Sequence, residues 1–128
     1  MSIKWIKLLF VASGIYDALL GAAFLLFGLA LFRIAGVTPP NHIGYIQFPA
    51  LLLILFGIMF LRIAKDPIGC REWIPFGMGL KFAYFGVVFW HKLHGGVPML
   101  WIPWAWADLA FFLLFLAAWT HLRNRQMS

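Results

Sequence analysis

The chain has 128 residues, 64% of them hydrophobic and 11% charged, against about 25% charged in soluble domains. That length suits one domain, and that composition excludes an ordinary soluble one. The formal net charge of +6 would suggest nucleic acid in a soluble chain, but here the basic residues gather at the ends of apolar stretches, where they mark a topology and exclude a nucleic-acid partner.

Apolar stretches cover about 8–32, 43–63, 73–94 and 103–120, each near the roughly 20 residues that a helix needs to cross the hydrocarbon of a bilayer. No alternation of period two persists, which sets aside a barrel. The expected fold class is all-α: an integral-membrane, antiparallel four-helix bundle with helices over about 5–33, 42–64, 72–94 and 103–121. With the N-terminus in the cytoplasm, Lys4, Lys7, Arg62, Lys65, Arg71, Arg123 and Arg125 lie inside and only Arg33 and Lys92 outside. Both termini are therefore expected to be cytoplasmic. Lys4 and Lys7 resemble the start of a signal peptide, yet the apolar run continues to Phe32 with nothing like A-x-A after it, so it reads as a retained first helix.

In the first helix Phe10, Ser13, Gly14, Asp17, Gly21, Phe24 and Gly28 fall on one side at spacings of three, four and seven. Glycines recurring on one stripe let a second helix approach closely, so the face with Asp17 is expected to be the packed face. Asn41 is placed to cap the second helix, and Pro49 is expected to kink it and free the carbonyl of Tyr45. The segment Asp66-Pro67 with Gly69 signals a short turn that makes helices two and three antiparallel neighbours. Cys70, the only cysteine, falls in this turn, excluding an intrachain disulfide and a thiolate metal cluster. Gly95-Gly96 closes the third helix, and Trp90, Trp101, Trp104 and Trp106 read as an interfacial belt.

Lys81 stands in the middle of the third apolar stretch, where an ammonium group costs roughly 2.5 to 3.5 kcal/mol on insertion scales unless it finds a partner or water. Counting about 1.5 Å per residue puts Asp17 roughly 15 Å and Lys81 roughly 13 Å from the same boundary, so the two are expected to pair in the bundle core. Such a pair can simply fix helix register. Asp108, only a few residues into the fourth helix, is expected nearer the outer surface, with Tyr45, Gln47, Tyr84 and His91 as neighbours and Lys81 a poorer match. Together Asp17, Gln47, Lys81, Tyr84 and Asp108 suggest a polar path from the midplane to the outer face, the candidate ligand-binding residues.

His91 and His94 have the i, i+3 spacing that can hold a metal or haem, with His42 at a similar depth. The stronger reading is that His91, Lys92 and His94 serve the free carbonyls of a last helical turn, so no metal is expected. Gly77-x-Gly79 near Lys81 is no phosphate loop, because no strand precedes it. No Ser-His-Asp or Cys-His arrangement can be built, and no cofactor is expected. Phe112, Phe115 and Trp119 on the fourth helix read as core or lipid contact, or as walls of an isoprenoid slot.

With Tyr16-Asp17, Tyr45-Ile46-Gln47, Lys81 and Trp106-Ala107-Asp108 in successive helices, the chain resembles the small bacterial four-helix membrane proteins called DoxX-like. The resemblance covers most of the length and carries no functional residue over to this chain. It implies a multi-pass protein of the bacterial cytoplasmic membrane, a few of whose kin are small subunits of quinone-linked oxidation systems. Two functions follow. One is a binding protein holding an apolar molecule such as a quinone or lipid at the buried polar site. The other is a non-catalytic accessory subunit whose glycine and aromatic stripes pack against a membrane-protein partner or another copy. A cavity reaching Lys81 favours the first, and a glycine stripe on the outside favours the second. A proton-coupled transporter or a membrane enzyme ranks third, since four short helices leave little room for alternating access.

Overall fold

Ser2 opens the first helix by accepting the N–H of Trp5 at 3.3 Å, one of the amide groups that a helix start leaves without an internal partner. The computed structural model describes residues 1–125. They form four long helices: α1 (Ile3–Ile34), α2 (Gly44–Lys65), α3 (Ile74–Leu93) and α4 (Ile102–Leu122), with single 3₁₀ turns at 71–73 and 99–101 leading into α3 and α4. No strand occurs among the described residues. All four helices are long and apolar enough to cross a membrane.

The helix ends follow local chemistry. Gly36 takes φ 70°, and Val37 then donates back to the Phe32 carbonyl at 2.8 Å, the closing motif that a left-handed residue permits after a helix. Gly95 and Gly96, with φ of 139° and 95°, do the same for α3 as Gly96 donates to the His91 carbonyl at 2.7 Å. At the start of α2 the acceptor is not Asn41: His42 Nδ1 accepts from the Gly44 N–H at 2.9 Å, because α2 begins two residues later than that cap would require. Pro49 is the sixth residue of α2 and no break accompanies it. So near a helix start, the bond it withholds weakens only the first turns. The backbone break lies instead in α1, at Phe27 (φ −128°, ψ 21°) beside Gly28.

The helices pair as two hairpins. In α1–α2 the glycines of α1 face inward, against α2. A Cβ on Gly21 would lie 2.6 Å from the Ala50 carbonyl oxygen, and one on Gly14 would lie 2.8 Å from that of Gly57, so the two backbones touch and any side chain would part them. Across the hairpins large side chains keep the helices apart. Near the end of the bundle that carries both termini, Ile6, Phe10, Phe60, Ile63, Ile74, Phe115 and Leu122 are all fully buried. Phe115 is at their centre, its ring stacked 4.6 Å from Phe10 and set edge-on 5.1 Å from Phe60. This aromatic plug closes one half of the interior. The other half, toward the 35–43 and 94–101 connections, is open.

Candidate functional site

Asp17 sits between Gly14 and Gly21 on the inward stripe of α1, and Lys81 lies one turn beyond Gly77, whose missing side chain makes room for the Phe60 ring. Both side chains point between the hairpins, just above the plug. Lys81 Nζ donates to Asp17 Oδ1 at 2.8 Å and Oδ2 at 3.0 Å, and to Asp108 Oδ1 at 3.3 Å. Lys81 is 0% exposed, Asp17 1% and Asp108 7%. The nitrogen also lies 5.0 Å from the centre of the Phe111 ring, 5.2 Å from Tyr16 and 5.6 Å from Phe60, within the distance at which an aromatic face attracts a cation. Three N–H groups thus meet three carboxylate oxygens inside an aromatic cage, which commits the donors of the lysine to the two acids.

Asp108 corrects the depth argument, which made it a poor partner for Lys81. Counting residues along α4 assumed that it starts level with the end of α3. The connection before it turns inward instead: the Trp101 carbonyl accepts from the Tyr84 hydroxyl at 3.0 Å, and Tyr84 lies about two and a half turns before Leu93. From that deeper start, Asp108 reaches the level of Lys81.

A cavity of about 590 Å³ opens above this cluster toward the two connections, a size that suits small-molecule sites. Its floor includes Asp17 and Asp108, and its walls are almost wholly apolar: Phe24 and Phe32 from α1, Ile46, Pro49 and Leu53 from α2, Leu80 and Tyr84 from α3, Trp101 from the turn before α4 and Trp104 from its start. The cavity is therefore bounded by all four helices. Gln47 is not part of it. That side chain is exposed, while its neighbours Ile46 and Ala50 take the inward face of α2, because the glycines of α1 select that face. The wall residues also differ from those expected on α4. Phe115 belongs to the plug and Phe112 packs on Phe82 at 5.4 Å, whereas Trp101 lies 6.0 Å from Phe24 and 5.4 Å from Phe32. Of the four tryptophans read as a belt, only Trp90 and Trp106 are outside, at 62% and 53% exposed.

The histidines stand apart from the site. His94 Nδ1 is 2.8 Å from the Trp90 carbonyl and its ring is stacked on that of Trp90. Among the described residues no three His, Cys, Asp or Glu side chains come together as a metal site. Ser13 lies on the packed face as expected, whereas Tyr16 and Trp104 are additional polar neighbours; Tyr16 OH, Ser13 Oγ and Trp104 Nε1 are buried with no hydrogen-bond partner among the described residues. The dipeptide Tyr16-Asp17 was the one available signal for Tyr16. Comparison of the chain with protein-family models, with curated proteins and with solved structures gives no match.

Proposed function

We propose that this is a small multi-pass membrane protein, with both termini in the cytoplasm, that binds an apolar molecule such as a quinone or lipid by its polar head. The observation that carries the reading is a cavity of about 590 Å³ with nearly continuous apolar walls that ends on two buried carboxylates. Apolar walls with a few convergent polar groups are the general form of a small-molecule site.

The surroundings support insertion. Leu19, Leu26, Phe48, Leu55, Phe76 and Val87 are all more than half exposed, a surface that water would disfavour and lipid would cover. The seven basic residues near one end and the two near the other support a cytoplasmic position for the termini. The resemblance to DoxX-like proteins, and with it a place in a bacterial cytoplasmic membrane, belongs to the same proposal. An accessory-subunit role ranks behind binding, because the glycine stripe that would have offered a partner surface is taken up between α1 and α2.

Native mass spectrometry of protein purified in mild detergent tests the reading. The wild type is expected to retain a small apolar molecule. Leu53→Trp, which fills the cavity from its α2 wall, is expected to lose it while the protein keeps its melting temperature. A wild type that carries nothing, or a variant that carries the same adduct in the same amount, would remove the cavity as the binding site.

A further inference from the structure

The charged groups that line the cavity have one sign. No lysine, arginine or histidine is among the described residues that line it, whereas Asp17 and Asp108 both are. Lys81 keeps its charge behind them and uses its three N–H groups on Asp17 Oδ1, Asp17 Oδ2 and Asp108 Oδ1. Asp108 Oδ2 is left with no hydrogen bond from any described residue, on a side chain that is nine-tenths buried. When both acids are ionised, two carboxylates against one ammonium carry one negative charge in excess, and an uncompensated charge beside apolar walls is unfavourable. The rings of Phe24, Trp101 and Trp104 stand around the same space, and their faces attract positive charge.

From these features together we infer that the cavity selects lipophilic monocations: one positive charge carried on an apolar or aromatic body, with the charge seated at Asp108. The inference rests on the cavity being a binding site and adds the class of head group that the site takes. A phosphate head would bring a second negative charge to Asp108 and is disfavoured there.

Tetraphenylphosphonium and tetraphenylborate have the same shape and opposite charge, so equilibrium dialysis of the two against purified protein in detergent isolates the electrostatic term. Leu53→Trp protein in the same micelles supplies the blank for partitioning into detergent. The phosphonium is expected to bind saturably and the borate about tenfold more weakly or not at all. Asp108→Asn is expected to weaken the phosphonium about tenfold, the order that loss of one desolvated charge partner gives. Thr38→Lys, at the exposed rim of the cavity and away from the packed core, is expected to weaken it as well without touching the fold. Borate binding as tight as phosphonium binding, or phosphonium binding unchanged in both variants, would overturn the inference. A short-chain neutral quinone serves as a third probe. If it binds and neither ion does, the head-group inference fails and the binding site stands. If none of the three binds, both fail.

Discussion

Lys81→Met is expected to be the most damaging single substitution in the chain. It leaves Asp17 and Asp108, held close by the same ammonium at 2.8 and 3.3 Å, facing each other with nothing between them. Breaking a buried ion pair from one side costs about 3 to 5 kcal/mol, and here two like charges remain rather than one. Unfolding by titration with a denaturing detergent measures the loss. Adding Asp17→Leu to Lys81→Met is expected to restore about half of it or more, because the acid with both oxygens committed to the lysine is then gone and Asp108, which borders the cavity, can still meet water. Asp108→Asn alone is expected to be the mildest of the set, since Asp17 still holds the lysine through both oxygens. A double variant no better than the worse of its two single variants would show that the lysine and Asp17 do not depend on each other.

The second large effect is expected at Gly21. A Cβ there would sit 2.6 Å from the Ala50 carbonyl oxygen and 2.9 Å from Ile54 Cγ1. The first of these is backbone and cannot swing away, so Gly21→Val must push α1 from α2. Overpacking of this kind costs roughly 1 to 3 kcal/mol and sometimes more. Gly79 is the control, with nothing within 4 Å of a Cβ built on it. Gly79→Ala is expected to leave the same unfolding curve unmoved or shifted slightly toward greater stability, as loss of a helix glycine does. Equal damage from both substitutions would mean that glycine acts through helix flexibility and not through close approach of the two backbones.

The contrast between the legible and illegible parts of the site has a common physical origin. The pairing of Asp17 with Lys81 could be expected because both helices start at the same end of the bundle, so residue counts give comparable depths. Asp108 could not be placed that way, since the height at which α4 begins depends on how the 94–101 connection folds, and that is set by Trp101 packing on Phe24 and Phe32. The same inward turn moved Trp101 and Trp104 from the expected belt to the cavity wall. The inward stripe of α1 was readable because glycine and aspartate stand out against apolar residues. Helices α2 and α4 are apolar on nearly every side, so sequence alone could not say which way they are rotated. That is why Gln47 was expected inside and why Phe112 and Phe115, three residues apart, turned out to serve different neighbours.

Binding in the cavity above Asp17, Lys81 and Asp108 is tested most directly by a crystal structure of the protein purified from its cells in mild detergent with no ligand added. The expected result is density between Trp101, Trp104 and Phe24, ending in an atom within hydrogen-bonding distance of Asp108 Oδ2. Asp108 turned to the outside of the bundle, or side chains closed over the carboxylates with no space reaching them, would contradict it.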